Sequence, residues 1–173
     1  WVDAFSGVME EVDGGYALAV LAGDGDIIAA RDPRGLKPLF LGAVGENFML
    51  VASESCAIES VGGRLLAEVR PGEVLVLSDK RVGRAGGVVG RYPLFQGDAR
   101  VCCVELVKHL SPNTFIGGGL VRDLRVSLGW ALASVAQSDY FEAVVCMRQS
   151  DEEIAKGFSE YLGIPFYRDA LSS

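Results

Sequence analysis

The stretch that most limits how this chain can fold is Ala30-Arg31-Asp32-Pro33-Arg34-Gly35-Leu36-Lys37-Pro38-Leu39. An apolar run over residues 27–30 enters a turn in which Pro33 fixes φ and Gly35 is free to take positive φ. A second apolar run leaves it, so two strands must be joined here. An aspartate in such a turn most simply accepts backbone N–H bonds. Asp32 and Arg34 therefore read as turn-makers before they read as a catalytic pair. Two further punctuated segments follow, one at 51–58 around Ser53-Glu54-Ser55 and one at 69–77 around Pro71-Gly72.

Upstream, Phe5, Val8, Met9 and Val12 recur at helical spacing, and Gly14-Gly15 closes that helix. Residues 16–22 read as a strand apolar on both faces, as in a sheet covered from both sides. The turn Gly23-Asp24-Gly25-Asp26 folds it back on 27–30. A second hairpin pairs 39–42 with 48–52 around Gly45-Glu46-Asn47. Residues 55–61 read as a short helix closed by Gly62-Gly63, with Glu54 as its cap or as the partner of an arginine such as Arg31. Segments 65–69 and 74–77 complete an antiparallel set. Short strands with one helix before and one within them make an α+β pattern.

Residues 82–97 break the pattern with five glycines and Pro93, as expected of an irregular connection carrying one short strand. Beyond it the period changes. Residues 101–107 read as a strand. Leu120, Leu124, Leu128, Leu132 and Val135 share one face of a helix, and 140–147 has the profile of a buried parallel strand. Ser150 and Glu153 form a capping box. Ile154, Phe158 and Leu162 give the next helix its face, Gly163 ends it, and 164–167 starts another strand. The order β-α-β-α-β is the opening of a parallel doubly wound sheet. Two domains follow, 1–97 and 98–173.

Composition excludes several classes. A net charge of −7 argues against nucleic acid, which favours a basic stripe. No apolar run approaches the roughly 18 residues of a membrane span, and no secretory signal is visible. Cys56, Cys102, Cys103 and Cys146 show neither C-x-x-C nor metal-ligand spacing, which points to a reducing, cytoplasmic compartment. Those in apolar strands read as core thiols, and Cys56 has no basic neighbour to lower its pKa. His109, the sole histidine, reads as a surface or strand-end residue. Gly117-Gly118-Gly119 lacks phosphate-loop spacing and reads as a plain loop. The chain opens on Trp1 without a polar leader and stops on Ser172-Ser173 without a closing element, so it is expected to be a piece of something longer.

The motifs Gly15-Tyr16-Ala17-Leu18, Arg31 through Leu39, Val51-Ala52-Ser53-Glu54-Ser55-Cys56-Ala57 and Arg70-Pro71-Gly72-Glu73 together resemble the amidophosphoribosyltransferase family. The likeness continues through 102–112, 118–131 and 144–167. It implies a partial N-terminal-nucleophile hydrolase sandwich (class II glutamine amidotransferase) over 1–97. A partial phosphoribosyltransferase-like sheet over 98–173 would follow. The implied substrates are glutamine and phosphoribosyl pyrophosphate, and the implied pathway is purine synthesis. The implied cofactor is Mg²⁺ accompanying phosphoribosyl pyrophosphate; some members also carry an iron–sulfur cluster. Cys102 lies where some place a cluster ligand, but its partner cysteines are not in this sequence, so no metal site is expected. The resemblance leaves a homo-oligomer open.

The family's nucleophile is an amino-terminal cysteine whose own α-amino group serves as base. Residue 1 here is Trp, and no catalytic residue can be carried over. The one substrate loop within the sequence is the pyrophosphate loop, which the resemblance places at Arg148, Gln149, Ser150 and Asp151. The family's Pro-Asp-Ser is there reduced to Ser150 alone. The chain as given is thus expected to catalyse neither half-reaction. Two other readings stand beside this one. One is a degenerate, non-catalytic binding or interaction protein of the same fold. The other is an asparagine-synthetase-type glutaminase, whose domain shares the Arg-Asp-Pro hairpin and the Ala-Ser-Glu element.

Overall fold

The computed structural model describes residues 1–46, 48–78, 87–95, 98–136 and 140–168. The chain divides into two compact units, Trp1–Cys102 and Cys103–Ser173. Among the described residues no helix is long and apolar enough to cross a membrane.

The first unit opens with helix α1 (Val2–Glu11), followed by strands β1 (Ala17–Leu21), β2 (Ile27–Arg31), β3 (Phe40–Val44) and β4 (Phe48–Ala52). Helix α2 (Ser55–Ser60) and strands β5 (Arg64–Glu68), β6 (Glu73–Ser78) and β7 (Gly87–Pro93) complete it. Two antiparallel sheets result, ordered β1-β2-β6-β7 and β4-β3-β5. Alternation along β2 and β6 explains their stacking, since successive side chains point to opposite faces. Ile28, Ala30 and Val74 pack with Phe5 and Met9 of α1. Their neighbours Ala29, Leu75 and Leu77 pack with Leu39, Leu41 and Val69 between the sheets. The glycine-rich connection contributes β7, which closes on Pro93 at the end of an edge strand, where a missing N–H does no harm. The rest of that connection, 79–86 and 96–97, and Asn47 of the β3–β4 turn lie outside the described residues.

Helix α2 covers the second sheet through Ile58, which is fully buried. It sits where Gly42 offers no side chain: a Cβ there would lie 2.5 Å from Ile58 Cγ2. Truncating Ile58→Ala should therefore cost about 2–5 kcal/mol, seen as a lowered urea midpoint at unchanged slope.

Strand β1 differs from its expected cover on both sides. It is an edge strand, and Leu21 is 74% exposed. Apolarity on both faces of a segment records what it can bury, and only its place in the sheet decides what it does bury.

In the second unit, residues 105–109 form one π-helical turn, and His109 on it is exposed. The expected strand over 101–107 is absent. A short apolar run without punctuation fits a buried helical turn as well as a strand. The order β-α-β-α-β thus loses its first strand. A minimal hairpin, β8 (Phe115–Ile116) and β9 (Gly119–Leu120), turns through Gly117 and Gly118, both at positive φ. The triple glycine therefore makes a hairpin turn. Helix α3 (Val121–Val135), strand β10 (Val144–Cys146), helix α4 (Glu152–Leu162) and strand β11 (Phe166–Arg168) follow, with β10 and β11 parallel. The run 140–147 is less buried than expected, for Tyr140 and Met147 are largely exposed.

Helix α3 buries a different face from the leucine stripe. Val121, Arg125, Gly129 and Ala133 are buried, whereas Leu124, Leu128, Leu132 and Val135 are exposed. The reason is the distance between α3 and α4. A Cβ on Gly129 would stand 2.1 Å from the Ile154 carbonyl, and one on Gly157 would stand 2.1 Å from the Val126 carbonyl. Backbones that approach so closely need glycine at the crossing. Arg125 lies alongside with Nε donating to the Leu106 carbonyl (2.7 Å) and Nη2 to the Leu110 carbonyl (2.6 Å). The guanidinium thereby closes the carbonyl end of the π-helical turn. Phe158 of α4 meets Phe141 edge to face at 5.6 Å.

Candidate functional site

Two signature segments of the first unit, residues 31–39 and 70–73, meet at the turn between β2 and β3. Asp32 is completely buried. Its Oδ1 accepts the N–H groups of Arg34 (3.1 Å) and Leu36 (3.0 Å), and Oδ2 accepts that of Lys37 (3.0 Å). Its main-chain carbonyl accepts Gly35 and Gly72 N–H, which ties the two turns together. Gly35 takes φ +68°, and a Cβ there would strike Pro71 at 2.6 Å. Arg31 spans the same knot from within. It donates to the carbonyls of Lys37, Gly35 and Val69 and to Glu68 Oε1 (2.8 Å). Glu73 of the second turn is buried as well, accepting Arg70 N–H (2.9 Å) and pairing with Arg91 (3.3 Å).

Every polar group named here is committed to backbone or to an opposite charge. The cluster can hold loops in place, but it offers no free carboxylate for proton transfer. Glu68, rather than Glu54, is the partner of Arg31; Glu54 stands at the start of α2, where the Cys56 thiol lies 3.8 Å from its Oε2. Nothing local in the sequence could select Glu68, which lies 37 residues from Arg31. Beside the knot, the Tyr16 hydroxyl is buried with no hydrogen-bond partner among the described residues. Burial first, and the Asp32 carboxylate second, raise its pKa.

In the second unit the expected loop residues sit together at the head of α4. Gln149–Asp151 form one 3-10 turn leading into the helix. The capping box is not formed. Asp151 takes the cap position, Ser150 Oγ donates to Asp151 Oδ1 (3.0 Å), and no side chain caps the helix. The 3-10 turn moves the helix start one residue past the serine. Arg148 Nε lies 3.5 Å from Asp151 Oδ2. Beside this turn is a cavity of about 230 Å³ lined by Cys146, Gln149, Glu152 and Arg168.

Glu152 was not singled out by the sequence. It is buried, pairs with Lys156 at 2.6 Å and bonds Arg168. The bond from Lys156 and then that from Arg168 hold its carboxyl below the usual glutamate range, against the opposing effect of burial. A carboxyl with a lowered folded pKa contributes stability that is complete above its unfolded pKa. That contribution disappears as pH falls through the folded value. Glu152→Gln should therefore destabilise the second unit at neutral pH, and the difference from wild type should vanish in acid. Thermal melts across pH check both arms.

Among the described residues no three His, Cys, Asp or Glu side chains are placed to hold a metal ion. Cys102 is half-buried and Cys103 exposed, and both are free thiols.

A family model described as a glutamine amidotransferase domain matches residues 3–60. The amidophosphoribosyltransferase of Bacillus subtilis (strain 168) is 32% identical over 166 residues, covering 95% of this chain and 33% of that protein. The amidophosphoribosyltransferase of Archaeoglobus fulgidus is 27% identical over 175 residues, covering 99% of this chain and 36% of its own length. Among solved structures, the glutamine phosphoribosylpyrophosphate amidotransferase from B. subtilis complexed with ADP and GMP superposes with a TM-score of 0.82 at 30% identity. That alignment covers 96% of this chain and 34% of the other. The chain thus spans about a third of the length of the curated relatives it matches. In sequence and in fold this chain is similar to part of these amidophosphoribosyltransferases.

Proposed function

We propose that this chain is the section of an amidophosphoribosyltransferase that joins its two catalytic halves. The first unit would be the later half of an N-terminal-nucleophile glutaminase sandwich. The second would be the opening of the phosphoribosyltransferase sheet, with residues 148–151 at the pyrophosphate-loop position. The whole enzyme would convert glutamine, phosphoribosyl pyrophosphate and water into phosphoribosylamine, glutamate and pyrophosphate. The observation that carries this reading is the knot of Arg31, Asp32, Gly35 and Gly72, in which two separated motifs, residues 31–39 and 70–73, make one structural unit. Its role there is to support a catalytic half rather than to be one.

One observation favours a second reading, a non-catalytic binding module of the same fold. Edge strand β1 and the stripe of α3 leave Leu21 and Leu132 more than half exposed. A single comparison separates the two. This chain alone should be silent in glutaminase and in phosphoribosyl-pyrophosphate-dependent amination. The open reading frame extended upstream to an amino-terminal cysteine, and downstream to an acidic pair with a Gly/Thr-rich loop, should perform both. A silent extended protein would sink the enzyme reading, and turnover by this chain alone would overturn the proposal that the catalytic residues lie outside it.

A further inference from the structure

We propose that Glu152 sets the charge of ligand admitted at the head of α4, its carboxylate standing in the seat that an external anion would take between Arg168 and Lys156. This rests on reading residues 148–151 as a pyrophosphate loop. The cavity there lies at the carboxyl ends of two parallel strands, where ligands of such sheets are bound. The start of an 11-residue helix adds positive potential to it. An anion is already in place, because Glu152 is only 8% exposed and is held by both cations.

Its neighbours leave little charge over. The three consecutive acids each have a basic partner: Asp151 with Arg148 (3.5 Å), Glu152 with Lys156 and Arg168, and Glu153 with Arg125 (3.7 Å). Pyrophosphate arriving at the cavity would meet a fixed carboxylate, and it would have to draw Arg168 away from that partner. Removing the Glu152 charge should reverse this, leaving Arg168 and the helix start at the cavity with no fixed anion between them.

Calorimetric titration of inorganic pyrophosphate into the wild-type chain, Glu152→Gln and Glu152→Ala tests the idea, with circular dichroism confirming the fold of each. Either folded variant should bind at least about tenfold more tightly than wild type, and adding Arg168→Ala should remove the gain. Equal affinity in wild type and variant would overturn the inference while leaving the loop reading intact. Silence from all three at millimolar pyrophosphate would remove the loop reading on which the inference rests. If neither variant folds, the wild-type titration decides: micromolar binding overturns the inference, weak binding that Arg168→Ala abolishes supports it, and silence removes the loop reading as above.

Discussion

Asp32→Ala is expected to lower the folding free energy by about 4 kcal/mol, among the largest single losses this chain can suffer. The carboxylate is fully buried and accepts three backbone N–H groups. Alanine would leave these three part-buried donors without their acceptor, and each charge-assisted bond of this kind contributes roughly 1.5–3 kcal/mol. The losses are not additive, because the turn can relax and admit water, so the total falls below their sum. Asp32→Asn should cost about half as much. It keeps an acceptor toward Arg34 and Leu36 but sets an amide N–H against that of Lys37. Urea titration reads both, and a cost below about 1 kcal/mol for alanine would show that the carboxylate does not hold the knot.

The second large effect concerns the crossing of α3 and α4. Replacing Gly157 with alanine has two opposed consequences. In a helix interior alanine is favoured over glycine by about 1 kcal/mol. At this crossing its methyl would lie 2.1 Å from the Val126 carbonyl, closer than any tolerable contact. That neighbour is backbone, so only separation of the helices can relieve the clash. Separation would also pull Arg125 from the carbonyls of Leu106 and Leu110. We expect the steric effect to win, with a net cost of about 3 kcal/mol. Gly157→Ala should lower the melting of the second unit, and Gly157→Leu should abolish its folding. A stabilised Gly157→Ala would mean that the helices do not approach as described. Gly129→Ala should behave alike, and the double variant should cost less than the sum, since one separation relieves both clashes.

The residues most legible in the sequence are those whose structure is made locally. Asp32, Pro33 and Gly35 determine a turn within a few residues of themselves, and turn chemistry reads directly from their types. Arg31 was harder, since its carboxylate partner Glu68 arrives on β5, far along the chain. The α3 stripe misled for a physical reason. Leucines at every fourth position usually mark the buried face, yet helices in near contact bury their small residues instead, here Gly129 and Ala133. The signal that could have corrected this was present, because an isolated glycine within each of two neighbouring helical patterns has to be explained by packing. At the candidate site, Ser150 satisfied a capping rule on paper, whereas a 3-10 turn carries the start of α4 past it. Glu152 carries no distinctive signal in the sequence, because an acid in a helix's first turn is ordinary. Only the fold brings Arg168 from β11 to meet it.

Strand β1 has a practical consequence for anyone who purifies this chain. Among the described residues no further strand pairs with its outer margin, which runs alongside exposed Leu18 and Leu21, and the strand has no lysine or proline to blunt it. Such a margin is a template on which another copy can add strands, giving slow, concentration-dependent aggregation without prior unfolding. Ala19→Lys places a charge on an exposed position of that margin. Light scattering of concentrated samples should show this charged form staying clear while the parent chain turns turbid.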